Sequence, residues 1–500
     1  MKYLILLLSL IVLNTAALAQ NNIFAKLDGK RKRADRYYEN FDYPNAVQLY
    51  LSIYQNDPKD EIALLIAESY RKLNNPAEAA NWYHKVINNL ILINPEHYLY
   101  YAQALLSLQQ YDKASAWVEK YKSSTNYDDG VFEKHFKQIE FLQQHGNKVE
   151  VDRLNINTPA DELCPAIMKN GLLFMSNRKK FSFVKKIDSW TGKAFSELYF
   201  AQKLNNKYMS YPQSLKAPKY NQFHLGPVAF YNQGRNVVYT TNNALVNKQD
   251  SKTLQIYFSE MSEDEFNSIA SFPHNENNFS VGHPAINQEG NFLIFASDMP
   301  GGIGGTDLYY CEKINGVWSI PRNFGETINT AGNELFPYLH QDSILYFSSN
   351  GKIGIGGLDI FSCKIKNENV IEQPVNPGFP LNTAYDDFGL AIEPNSLEGY
   401  FTSNRPGEGG DDIYYFQLQY VPVIVEIPEN TSAQIDIYEN GHLRNSYANA
   451  VHQQIVKLVP GGKYDIEISY NGTSHKIPFH AVDLSLVNRR VNVNISSDSM

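Results

Sequence analysis

Five segments of this chain align with one another, and that repeat constrains the fold more than any other feature. They are LCPAIMKNGLLFMSNRKK, LGPVAFYNQGRNVVYTTNN, GHPAINQEGNFLIFASDMP, LFPYLHQDSILYFSSNGK and DFGLAIEPNSLEGYFTSNRP, anchored at Pro165, Pro227, Pro284, Pro337 and Gly389. Each reads as a strand, a tight turn and a second strand. The second strand closes on a hydroxyl residue followed by Asn177, Asn242, Asp298, Asn350 or Asn404. A third strand follows (ELYFA, QIYFS, DLYYC, DIFSC, DIYYF), and the last three are introduced by the glycine-rich loops GGIGGTD, GIGGLD and GEGGDD. A repeat of about 50 to 60 residues built only of strands predicts the blades of a β-propeller. It covers residues 150–420. The count is five blades, or six if the insert from Lys203 to Phe223 holds a degenerate one.

One piece of the pattern is out of order. DRLNINTPADE, at 152–162, matches the blade-closing phrases IPRNFGETINT and VNPGFPLNT although it precedes the first blade. A closed ring accounts for this: the N-terminal strand completes the last blade and removes an exposed sheet edge.

Before the propeller, Ala34, Ala67 and Ala102 recur, as do Ala46, Ala79 and Ala114, both series at spacings of 33 and 35 residues. Small residues with that period predict paired helices crossing closely. The pattern resembles the TPR repeat, so residues 25–146 are expected to form a TPR α-solenoid, with the helix between Gly130 and Gly146 as its cap. Such arrays hold a peptide or protein on a concave face. Tyr98, Tyr100 and Tyr101 cluster at a helix start and are the candidate groove residues.

Lys2, the apolar run from Tyr3 to Leu13, and Ala17-Leu18-Ala19 before Gln20 read as a signal peptide over residues 1–19. No Cys follows that run, so a lipid anchor is not expected. From Val421 the alternation in VPVIVEIP, AQIDIYENG and KYDIEISYNG predicts a small β-sandwich over 421–497. The fold class is thus multidomain α + β: TPR α-solenoid, β-propeller and small C-terminal β-sandwich.

The blades resemble the PD40-type (TolB-like, WD40-like) propeller repeat, and SNGKIGIGGLDIF and WSIPRNFGETINT are close to its consensus. Blade two departs from it, with Gln255 where other blades carry an acid. TPR, PD40 propeller and a carboxypeptidase-regulatory-like sandwich, in that order, resemble envelope proteins of the OmpA-associated type IX secretion and gliding family. The OmpA-like domain expected next is not found before Met500. The resemblance implies a periplasmic location at the outer membrane. It also implies envelope proteins as partners, a PorP/SprF-type outer-membrane protein among them, and only indirect contact with peptidoglycan.

The net charge of −9 argues against nucleic acid as a partner. Asp307, Asp359 and Asp412 follow the glycine-rich loops and suggest Ca²⁺, but a polar residue recurring at one blade position is better read as a turn cap. No metal site and no cofactor are expected. The chain has no Gly-x-Ser-x-Gly elbow and no zinc-binding His spacing. Accordingly, no enzyme is expected. The leading function is a scaffold or adaptor for envelope proteins; the second is a glycan- or peptidoglycan-binding module using the propeller face. Cys311 and Cys363 hold the same place in neighbouring blades, so three free, buried thiols are expected, Cys164 being the third.

Overall fold

A computed structural model describes residues 29–89, 94–125, 137, 139, 149–178, 187–188, 191–215, 224–242, 253–262, 265–366, 369–370, 373–394, 398–418, 421–427, 431–439, 441–458, 463–480 and 489–492. The segment expected to be a signal peptide, and that expected to be a capping helix apart from residues 137 and 139, lie outside that set. The chain divides into two units, 1–132 with 181–195, and 133–180 with 196–500.

The first unit contains α1 (29–39), α2 (Tyr43–Asn56), α3 (Asp60–Lys72), α4 (Pro76–Val86), α5 (Glu96–Ser107) and α6 (Tyr111–Thr125). Helices α2 and α4 start at side-chain caps. Asp42 accepts from the Asn45 N–H, Asn75 accepts from the Glu78 N–H, and a proline sits in each first turn. Three hairpins share one turn, with Phe41, Asn74 and Gln109 in the left-handed region. The next residue of each donates back to Tyr37, Tyr70 or Leu105 at 2.8–2.9 Å. All six repeated alanines are buried.

The expected TPR α-solenoid is corrected by this structure. Its described helices are six short ones, and the described residues hold more than twice as much strand as helix. The alanine series mark the points where hairpin helices cross. Any pack of helical hairpins needs small residues there, so the spacing reports hairpins and does not require a superhelical array.

In the second unit the strand β1 (Val149–Arg153) comes first. Blade one is β2 (Glu162–Met168), β3 (Gly171–Ser176), β4 (Glu197–Gln202) and β5 (Gln213–Ser214). Blade two is β6 (Leu225–Tyr231), β7 (Asn236–Asn242), β8 (Leu254–Ser262) and β9 (Glu265–Ser271). Blade three is β10 (Val281–Ile286), β11 (Phe292–Ser297) and β12 (Asp307–Ile314), with β13 (Val317–Trp318) and β14 (Arg322–Asn323) both on β12. Blade four is β15 (Glu334–His340), β16 (Ile344–Ser349), β17 (Asp359–Lys366) and β18 (Asn369–Val370). Blade five is β19 (Asp387–Ile392), β20 (Glu398–Ser403) and β21 (Asp412–Leu418), completed by β1.

The inner strands pack in sequence around a ring, β2 on β6, β6 on β10, β10 on β15, β15 on β19 and β19 on β2. Since β2 meets β6 directly, no sixth blade intervenes after Lys203. Second strands such as GLLFMS and ILYFSS are buried at every residue, because each blade is covered on both faces. Each neighbouring pair shares one apolar core; that of blades four and five, for example, joins Tyr346 and Ile360 to Leu390 and Phe401.

The repeated polar residues stitch each blade to the next. Glu162 accepts from Thr158 and Ser176, and Glu334 likewise accepts from Thr330 and Ser349, at 2.6–2.8 Å. Asn177, Asp298, Asn350 and Asn404 each accept the backbone N–H that precedes an inner strand. The loop aspartates are turn caps: Asp307 accepts from Ile303 and Gly304, Asp359 from Gly356, and Asp412 from Glu408 and Gly409.

Residues after 420 form β22 (Val421–Glu426), β23 (Ala433–Glu439), β24 (His442–Ala450), β25 (Gln453–Leu458), β26 (Lys463–Tyr470), β27 (Thr473–His480) and β28 (Arg489–Asn492). They make a three-stranded sheet, β25-β22-β28, and a four-stranded one, β24-β23-β26-β27. Alternate residues, among them Val423, Val425, Ile435, Ile437, Ile466 and Ile468, meet in one core.

Candidate ligand cavity at the propeller centre

Every inner strand carries a β-bulge at the same place. The register with the second strand shifts between Leu163 and Ala166, Leu225 and Val228, Gly282 and Ala285, Leu335 and Tyr338, and Phe388 and Ala391. The first residue of each bulge is left-handed: Cys164, Gly226, His283, Phe336 and Gly389. Glycine adopts this conformation freely, but at the other three positions it costs about 1–2 kcal/mol each. In blade five the bulge falls on Gly389, so Leu390 occupies the place held by proline elsewhere. The sequence alignment at that blade is one residue out.

Bonds to the preceding blade hold some of these strained residues. The Cys164 N–H donates to Thr402 Oγ1 and the His283 N–H to Thr240 Oγ1, each at 2.9 Å. Their side chains build an arc of rings. His283 stacks on Phe336 at 4.1 Å and 12°, and Phe336 meets Phe388 at 4.7 Å and 31°. The Phe336 N–H donates to His283 Nδ1 at 3.4 Å, which leaves the ring proton on Nε2. Burial pulls the His283 pKa down to about 4, so the imidazole is neutral at neutral pH.

The bulges surround a cavity of about 760 Å³, walled by all five inner strands. Phe230, Phe336, Tyr338 and the imidazoles of His283 and His340 supply its rings. The inner hairpin turns supply a polar rim: Lys169, Gln233, Arg235, Gln288, Gln341 and Asp342. Adjacent turns are tied together. The Asn232 N–H donates to the Gln288 carbonyl at 3.0 Å, and the Gln288 N–H donates to the Asp342 carboxylate at 3.2 Å. Arg235 donates to Asn232 Oδ1 at 3.0 Å, which steadies its guanidinium at the rim. Side-chain amides and a guanidinium over a ring-lined well suit a ligand rich in hydroxyls. The amides donate and accept, and the rings cover apolar C–H faces.

The sequence candidates lie in the helical unit. Tyr98 and Tyr101 are buried against Trp117, with ring centroids 5.7 and 5.1 Å away. Tyr100 is half-buried, its hydroxyl donating to Glu96 at 3.1 Å and its ring 4.0 Å from the Arg71 guanidinium. Arg71 in turn holds the buried Glu68 at 2.6 Å, and Glu68 also accepts from the Tyr83 hydroxyl. The cavity residues were missed because each blade contributes only a few of them. The readable signal was the residue before each anchor proline, which is where the ring bulges.

No family model matches this chain, and no curated protein is similar to it. Solved structures are. The β-1,2-mannobiose phosphorylase of Listeria innocua is 9% identical, covering 53% of this chain and 96% of its own, with a TM-score of 0.35. The GH32 β-fructofuranosidase of Bombyx mori is 9% identical, covering 71% and 94%, with a TM-score of 0.34. A mannose phosphorylase of Leishmania mexicana is 14% identical, covering 58% and 94%, with a TM-score of 0.35. At these identities the likeness is one of fold alone.

The similar solved structures are enzymes, which overturns the expectation of no enzyme; at TM-scores of 0.34–0.35 they assign this chain no activity, and the expectation is withdrawn with none put in its place. It rested on missing motifs. A propeller cavity gathers its groups from strands far apart in the chain, so a site there leaves no local signature.

Proposed function

We propose that the propeller is a glycan-binding module that takes one end of an oligosaccharide into its central cavity. Of the two functions raised by the sequence, this is the one the cavity supports. The observation that carries it is the ring-lined well of about 760 Å³ under a rim of Gln233, Gln288, Gln341 and Arg235. The volume falls within the range of small-ligand sites, about 300–1,000 Å³. Three non-glycine, non-proline residues can be read against it: Cys164, His283 and Phe336 are held in strained backbone at its wall, and such strain gathers at ligand sites.

The test is calorimetric titration of the full chain with cellotetraose, mannotetraose, xylotetraose, chitotetraose and tetragalacturonate. At least one is expected to bind, and the Arg235→Ala/Gln288→Ala double variant to bind it about tenfold more weakly, the loss of a hydrogen bond or two. Binding of none, or equal binding by the double variant, refutes the reading.

A further inference from the structure

We infer that His283 is the wall residue that recognises the ligand, its Nε2–H donating to a sugar oxygen inside the cavity. The inference rests on the glycan reading above. His283 is half-buried and lines the cavity. The same place at the bulge is held in the other blades by Cys164, Gly226, Phe336 and Gly389, none of which has a side-chain nitrogen. Imidazole at this point is particular to blade three.

The fold accounts for one of its two nitrogens. A bulge N–H looks to the preceding blade for an acceptor, as the Cys164 N–H does to Thr402 and the His283 N–H to Thr240. Thr402 lies opposite Ile413 and Thr240 opposite Ile256. In blade three the residue at that place, opposite Leu308, is Ala296, which has no hydroxyl. The Phe336 N–H turns instead to His283 Nδ1, at 3.4 Å, and the two rings stack. That bond takes the lone pair of Nδ1 and puts the ring proton on Nε2. The Nε2–H has no acceptor among the described residues and is not sealed from solvent, whereas His340 Nε2 is enclosed beyond the reach of a ligand. The Tyr338 hydroxyl gives its proton to the Ile392 carbonyl at 3.0 Å. Below the rim, His283 thus offers a nitrogen donor that the fold leaves unused. Stacking and the bonds to Phe336 and Thr240 fix the ring before a ligand arrives, so little ordering cost remains. The group it receives is an oxygen with a lone pair (hydroxyl, ring or carbonyl), and an ammonium is turned away.

The experiment uses the full chain and whichever of the five tetrasaccharides binds best. His283→Phe is combined with Ala296→Thr, which gives blade three the hydroxyl that Thr240 and Thr402 supply in theirs. Phe336 shows that phenylalanine is accepted at the left-handed bulge. The double variant is expected to melt with the unaltered protein and to bind about tenfold more weakly or worse. Ala296→Thr alone is expected to bind as the unaltered protein does. Unaltered binding by the double variant overturns the inference while leaving the glycan reading intact. Equal weakening by Ala296→Thr alone also overturns it, since the imidazole is then not the cause. Failure of the unaltered protein to bind any of the five overturns both readings. A readout free of folding effects is the imidazole ¹⁵N spectrum of the unaltered protein. The His283 ring is expected to be protonated at Nε2, and that proton to exchange more slowly with water on saturation with the sugar. Protonation at Nδ1, or unchanged exchange, overturns the inference.

Discussion

Asn157 holds both backbone groups of Ile413, a residue 256 positions further along the chain. Its Nδ2 donates to the Ile413 carbonyl and its Oδ1 accepts from the Ile413 N–H, each at 2.8 Å. Three other asparagines make the same two bonds over short distances: Asn275 with Ile256, Asn329 with Leu308 and Asn382 with Ile360. In each case the side chain acts as one more rung on the edge of a blade. At Asn157 that rung, together with the pairing of β1 on β21, is what joins the two ends of the ring.

Removing the rung leaves the buried Ile413 N–H without a partner, while its carbonyl keeps the Leu154 N–H at 3.1 Å, at a cost of about 1–3 kcal/mol. Asn157→Ala is therefore expected to lower the stability of the propeller by that amount in urea unfolding, and Asn329→Ala by a similar amount. Deleting residues 149–158 removes the strand as well and is expected to lower it further. If Asn157→Ala unfolds like the unaltered protein while Asn329→Ala does not, closure by this residue is wrong.

Acid sensitivity follows from the two cavity imidazoles. Burial lowers the pKa of both His283 and His340 to about 4, against about 6.5 in an unfolded chain. Between those values the unfolded state binds protons that the folded state does not. Stability is therefore complete above about pH 6.5 and is lost as the pH falls towards 4. Each imidazole contributes a slope of up to about 1.4 kcal/mol per pH unit. Denaturant melts at pH 5 and 6.5, where carboxylates are still largely charged, test this. His340→Phe is expected to flatten the slope by about half, and an unchanged slope rules out its part.

The propeller was legible because its polar residues repeat for a structural reason. In blades one and four the hydroxyl at the end of the second strand, Ser176 or Ser349, bonds the acid that opens the inner strand, and the following Asn177 or Asn350 caps the turn before it. The out-of-place NINT phrase was legible for the same reason, since Asn157 works where Asn329 and Asn382 work. The helical unit misled because Ala34, Ala67 and Ala102 report close helix crossings, and that is a local fact that does not specify a solenoid. The cavity was illegible because His283, Phe336 and His340 share no motif; only the ring of bulges brings them together. Blade five misled by one residue because Gly389 suits a left-handed bulge as well as it suits an anchor.

The glycine-rich loops give a sharper test of packing between blades. A Cβ on Gly356 would fall well inside contact distance of the Thr383 and Tyr385 carbonyl oxygens, and one on Gly304 would meet the Thr330 carbonyl in the same way. Backbone on that side has no rotamer to change, so the loop or its neighbour must shift. Gly356→Ala is expected to cost about 1–3 kcal/mol in urea unfolding, the usual range for overpacking. A neutral result would mean that the loops are not pressed against the next blade.

The last prediction concerns the thiols. Cys311 pairs with Leu293 and Cys363 with Leu345, the same register in adjacent blades. Cys311 is buried between blades two and three, Cys363 between three and four, and Cys164 at the blade one bulge. Sheets packed face to face stand about 10 Å apart, whereas a disulfide needs Cα atoms within about 7 Å. All three cysteines are buried and outside any disulfide, in line with the sequence expectation. Burial raises the Cys311 thiol to about 12 and pushes Cys164 up as well, so little thiolate forms at pH 8. The folded protein is therefore expected to react with none of its thiols in an aromatic disulfide assay at that pH. The unreduced protein in denaturant is expected to release three equivalents. A count of one in denaturant, with a Cys311–Cys363 peptide in the digest, would overturn the register of blades three and four.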